Sequence, residues 1–143
     1  MKLKDLITNP YPIALDVAAA VGRIVVGAYF IKHGHDFFNA AEMGKFADFL
    51  SKDLHFPMPL LMAYLRTGAE LFGGIMLVLG LFTRIGAFFI GFTMLVAAFT
   101  AGKGDIMGEA EMTVVYAVFC LVILLIGSGK YSLDNYLFNK NKP

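Results

Sequence analysis

Four ionisable side chains stand inside apolar stretches of this chain: Asp16, Arg23, Arg66 and Glu70. A charge at the centre of a bilayer costs about 2.5–3.5 kcal/mol on insertion scales, so such groups are kept where they pair or act on a ligand. Arg66 and Glu70 are four residues apart and share a helix face. Asp16 and Arg23 are seven apart and fall within about 20° of each other at 100° per residue. Arg23 is the eleventh residue of the apolar run 13–31, and Glu70 is the eleventh of the run 60–82. Antiparallel neighbours would bring both near the midplane, which makes Arg23 and Glu70 the natural partners. Arg66 would then sit about 6 Å further outward. Two readings follow. Either Arg23 and Glu70 only fix the register of the bundle, or Arg66 faces a cavity that takes an anionic or quinone-like ligand. His33 and His35 precede Asp36 at the outer end of the first run. Three roles stand open for His33: a metal ligand, a hydrogen-bonding or proton-relaying group at the cavity mouth, and a plain interfacial histidine.

The elements that must position these groups follow from composition. The chain has 143 residues, 58% hydrophobic and 16% charged. An ordinary soluble domain runs at about 45–50% apolar and about 25% charged. The mean hydropathy is +0.69. A domain this small cannot hide so much apolar surface from water, which argues against a soluble globular enzyme and excludes a disordered chain. A net charge of +1 gives no electrostatic case for a nucleic-acid binder. Cys120 is the single cysteine, so no internal disulfide or paired-thiol chemistry is available. With no tryptophan, the 14 Phe and 6 Tyr must furnish any interfacial aromatic belt.

Four apolar runs, 13–31, 60–82, 85–101 and 112–128, approach the roughly 20 residues needed to cross a bilayer. They are continuous rather than alternating, so they are expected to be helices and not barrel strands. The expected fold is an all-α membrane protein, one domain over 1–143, with four transmembrane helices in an up-and-down bundle. Ala18-Ala19-Ala20 resembles a leader-cleavage site, but Pro10, Pro12, Asp16 and Arg23 favour a retained span. Between the first two runs, Phe38, Ala41, Phe46, Phe49 and Leu50 recur near helical spacing among mixed charges. Within Asp36–Leu54 this predicts a short amphipathic helix outside the membrane. Lys2, Lys4, Arg84, Lys130, Lys140 and Lys142 fall on one side, and Lys32, Lys45, Lys52 and Lys103 fall among acids on the other. Both termini are therefore expected in the cytoplasm. The glycine pairs 22/27, 68/73 and 86/91 place small residues where helix backbones can approach.

A pattern runs through these elements in order. It begins with Arg23, Gly27, Phe30 and His33-Gly34, and continues with Glu70-Leu71-Phe72-Gly73-Gly74 and Gly80-Leu81-Phe82-Thr83-Arg84. It closes with Gly127-Ser128-Gly129-Lys130-Tyr131-Ser132-Leu133-Asp134. The chain resembles the DoxX family of small four-helix bacterial membrane proteins over about residues 15–137. Position 36 is Asp here, where that family often has lysine. The resemblance implies a bacterial inner-membrane protein linked to quinone chemistry, acting with a redox partner protein or as a homo-oligomer. On that reading Glu70 donates or accepts a proton and is tuned by Arg23, while Arg66 and His33 orient a quinone oxygen or an anion. The alternative is a non-enzymatic scaffold, or a carrier of a lipid or small molecule.

Overall fold

The computed structural model describes residues 14–138. Among these it is all-helical, with no strand. The helices are α1 (Leu15–Gly34), α2 (Ala40–Lys52), α3 (Pro59–Leu79), α4 (Thr83–Thr100), α5 (Glu111–Ile126) and the short α6 (Leu133–Phe138). A 3₁₀ turn, His35–Phe38, joins α1 to α2. The helices α3 and α4 are each long and apolar enough to cross a membrane. The helix α1 carries Asp16, Arg23 and Lys32, and α5 is 16 residues long. Ile13, at the edge of the first apolar run, and the terminal lysines 2, 4, 140 and 142 lie outside the described residues.

Local chemistry sets the boundaries. Asn39 caps α2 by accepting hydrogen bonds from the backbone N–H of Ala41 (3.1 Å) and Glu42 (3.4 Å). Proline opens α3, where its missing N–H has no helical partner to lose. Gly80, at φ +66°, ends α3. Its N–H bonds to the carbonyl of Leu77 (3.3 Å), and that of Leu81 bonds to Met76 (3.1 Å), the Schellman arrangement. The apolar run 60–82 passes through this point, but the helix stops at Leu79. Only Gly80, Leu81 and Phe82 separate α3 from α4, so the two helices pack antiparallel.

In space α1 packs on α3, α3 on α4 and α4 on α5, with a lighter contact between α5 and α1. The α1–α3 contact depends on glycine. A Cβ added to Gly27 would stand 2.7 Å from the carbonyl oxygen of Gly74, and one added to Gly74 would stand equally close to that of Gly27. The glycine spacing read from the sequence therefore does serve backbone approach. The core holds Phe30, Leu77, Ala87, Ile90, Met94, Ala117, Cys120 and Ile123. Phe88, Phe92 and Phe99 of α4 and Val115, Val118, Leu121 and Leu125 of α5 face outward, so the apolar exterior suits lipid rather than water.

The helix α2 lies within the segment predicted for it, but its inner face differs. Met43, Ala47 and Leu50 are buried with Ala63 of α3, with Phe46 partly buried beside them. Phe38 and Phe49 are exposed. Docking against α3 selects the 43/47/50 stripe, which the phenylalanine spacing does not mark.

Candidate functional site

Three of the four predicted site residues meet, and one does not. Glu70, on α3, is 3% exposed. One turn earlier on the same helix, Arg66 places Nη2 2.9 Å from Glu70 Oε1. The Arg66 guanidinium also covers the Phe46 ring of α2 at 4.8 Å from its centroid, a cation–π contact. Its buried Nε–H has no hydrogen-bond partner among the described residues. These groups line a cavity of about 370 Å³ between the end of α1, α2 and the first half of α3. His33 joins them from the last turn of α1, its ring tilted at 49° against the Tyr29 ring with 4.4 Å between centroids.

The cavity wall also includes residues that the sequence reading did not assign to the site. Thr67, 4% exposed, sits beside Arg66, and Asp36 follows α1. From α2 come Glu42 and Lys45, whose Oε1 and Nζ lie 2.6 Å apart. The Glu42 carboxylate, by hydrogen bond and charge, holds the Lys45 ammonium above its ordinary range. The amphipathic segment thus closes one side of the site. Asn39, which caps α2, was the available signal that a helix starts there and brings Glu42, Lys45 and Phe46 to one turn. Chemically, the cavity offers a guanidinium with an unused N–H, a nearly buried carboxylate and an imidazole. Such a set can hold a group bearing acceptor oxygens and exchange a proton with it.

Arg23 lies elsewhere, and its expected pairing with Glu70 is not made. Gly27 abuts Gly74, and Gly34 abuts the backbone of Leu71. That register sets Glu70 near the end of α1 and Arg23 level with the end of α3. The depth count assumed that the first helix starts flush with the end of the second span. Instead, the first two turns of α1 extend past α3 onto the 127–132 loop, where Asp16 accepts a hydrogen bond from the Lys130 backbone (3.1 Å). The Asp16 carboxylate also pairs with Lys130 Nζ at 3.6 Å, rather than with Arg23.

Arg23 is 2% exposed. It donates through Nη1 to the carbonyls of Leu77 (2.9 Å) and Val78 (3.1 Å), and through Nη2 to the carbonyl of Tyr131. A helix C-terminus leaves carbonyls unpaired and carries partial negative charge, so a buried cation fits there. Asp134 completes the arrangement. Its two carboxylate oxygens accept from the N–H groups of Phe82 (2.7 Å) and Thr83 (3.1 Å), and its own N–H donates to the carbonyl of Gly80 (2.8 Å). It therefore caps α4 from a distant part of the chain. A helix beginning after Phe82, which has no capping oxygen, was the sequence signal for such a partner. A Cβ on Gly80 would stand 2.5 Å from Arg23 Nη1 and 2.7 Å from Ser132 Cβ. The motif pieces 80–84 and 127–134 are thus one structural knot, and Arg23 belongs to it.

The chain has recognisable relatives among known proteins. The DoxX family model matches residues 18–103, which include Arg23, His33, Arg66, Glu70 and the α3–α4 turn. An uncharacterized protein of Haemophilus influenzae is 32% identical over 134 residues, covering 82% of this chain and 89% of the relative. A Bacillus subtilis protein named "Putative oxidoreductase CatD" is 30% identical over 130 residues, covering 90% of this chain and 93% of the relative. No solved structure matches the chain.

Proposed function

The chain belongs to the DoxX family, and on that premise we propose that it is a four-span membrane subunit binding the headgroup of a quinone in the cavity at Arg66, Glu70 and His33. In this reading α1, α3, α4 and α5 cross a bacterial inner membrane with both termini in the cytoplasm. The cavity then opens on the outer side, under α2. A ring oxygen of the quinone accepts from the unused Nε–H of Arg66. Glu70, bonded to the same guanidinium, takes up or returns the proton that accompanies reduction or oxidation of that oxygen, and His33 passes it to the cavity mouth. The two electrons move to or from a redox partner protein, and the proton of the other ring oxygen exchanges with water at the cavity mouth. The observation that supports this most is a nearly buried carboxylate bonded to an arginine whose remaining buried donor faces no protein acceptor. The oxidoreductase name of the Bacillus subtilis relative points the same way.

The test is quinone retention. Protein purified gently from a quinone-containing membrane should carry extractable quinone in near-stoichiometric amount. Arg66→Gln and Glu70→Gln should each lower that amount about tenfold or more, the loss expected for one charge-assisted hydrogen bond, while the thermal midpoint stays close to that of the parent. Quinone absent from the parent, or unchanged in both variants, overturns the reading and leaves a scaffold or small-molecule carrier.

A further inference from the structure

At the opposite end of the bundle a second cavity, of about 580 Å³, lies between the start of α4, the end of α5 and α6. Arg84 stands on its wall in the first turn of α4. Among the described residues Arg84 makes no ion pair and no side-chain hydrogen bond. By contrast, Lys45, Lys52, Arg66, Lys103 and Lys130 pair with acids and Arg23 donates to three carbonyls, while Lys32, likewise without an ion pair, lies at the other end of α1. The two acids on the same wall are already engaged. Asp134 holds the N–H groups of Phe82 and Thr83, and Asp16 holds Lys130. The Arg84 guanidinium lies against Gly127, where φ is +85° and an added Cβ would stand 3.4 Å from Nη2. The loop backbone is thus shaped to let the cation lie over it.

The remainder of the rim is apolar and exposed: Phe82, Ile85, Ile126 and Phe138. These residues flank the ends of α4 and α5, whose outer faces are apolar along their length. A free cation bordered by apolar side chains at the end of a spanning helix matches a lipid phosphate followed by the first methylenes of its chains. A soluble anion would use the cation but gain nothing from the rim.

We infer that this cavity seats the phosphate group of an anionic phospholipid, held by the unpaired Arg84, with the exposed Lys130 ammonium shared between Asp16 and the phosphate, and with its acyl chains passing over Phe82, Ile85 and Ile126. The inference is independent of the quinone reading, which concerns the other end of the bundle. Free inorganic phosphate shares the headgroup chemistry, and the experiment separates the two.

The chain has no tryptophan, so Phe138→Trp places a single tryptophan, excited selectively beyond the tyrosine absorption, on the cavity wall. The full-length protein is reconstituted in phosphatidylcholine vesicles containing rising fractions of dibrominated phosphatidylglycerol or dibrominated phosphatidylcholine. The brominated phosphatidylglycerol should quench with about fivefold higher relative affinity, the factor that one interfacial cation provides. Adding Arg84→Gln should bring the ratio close to one. Lys130→Gln, at an exposed position, gives the same test with a smaller drop and serves if the Arg84 variant does not fold. Equal quenching by the two lipids in the parent overturns the site, as does a preference that survives both substitutions. Excess inorganic phosphate at matched ionic strength should leave the preference intact. Its complete loss would overturn the lipid assignment in favour of free phosphate.

Discussion

Replacing Arg23 with leucine tests the knot most directly. Leucine keeps apolar volume at a site that is 2% exposed but removes every donor. Three carbonyls, those of Leu77, Val78 and Tyr131, lose their partner. At about 1 kcal/mol for each lost bond, plus about 1 kcal/mol for a cation removed from a helix C-terminus, the cost is about 4 kcal/mol. Titration with a denaturing detergent, followed by circular dichroism in mixed micelles, measures it. The same assay decides whether Arg23 and Glu70 interact. Seven residues separate Glu70 from Leu77, about 10 Å along the helix, and Glu70 bonds to Arg66 instead. The losses from Arg23→Leu and Glu70→Leu should therefore add to within about 0.5 kcal/mol in the double variant. A double variant more stable than that sum by over about 1 kcal/mol would mean that the two charges compensate each other, and would refute the register derived from Gly27, Gly34, Gly74 and Leu71.

Asp134→Ala should destabilise by about 1 kcal/mol, as loss of a helix cap does, and should speed amide exchange at Phe82 and Thr83 before other amides of α4 respond. Gly27→Ala should separate α1 from α3, because its Cβ would stand 2.7 Å from the Gly74 carbonyl oxygen. A drop of about 1–3 kcal/mol is expected from such overpacking, with Gly44→Ala, inside α2 where nothing lies within 4 Å, as the unhindered control that should instead gain up to about 1 kcal/mol. A periplasm-active reporter fused after Lys142 should stay silent, whereas a cysteine at the exposed Ser51 should react with an impermeant thiol reagent applied from outside. The reverse pattern would invert the proposed orientation.

What could be read from the residues was set by how far each signal reaches along the chain. Helices appear as apolar runs, and the Arg66–Glu70 pair appears as a four-residue spacing, because both are properties of one helix. His33 could be placed at the end of its helix for the same reason. The partners of Arg23 could not be found, since all of them are backbone carbonyls and leave no mark in side-chain type. The depth count failed because it treated the helix ends as flush. The actual offset is set by close contacts of Gly27 and Gly34 with α3 and by a loop more than a hundred residues away that supports the first turns of α1. Lys45 and Phe46 joined the site only through the docking of α2 on α3, which depends on the shape of both helices.

The knot also has a bearing on how the protein is made. Arg23 emerges from the ribosome early, and the carbonyl of Tyr131, together with the Asp134 carboxylate that caps α4, emerges almost last. Until residues 131–134 are synthesised, the growing bundle has an arginine with one partner missing and a helix start without its cap. Chains grow at about 5–20 residues per second, so that incomplete state lasts for several seconds in every molecule. A stop codon or proteolytic cut just before Tyr131 would remove no span, yet it would leave each copy permanently at that stage, open to quality-control proteases.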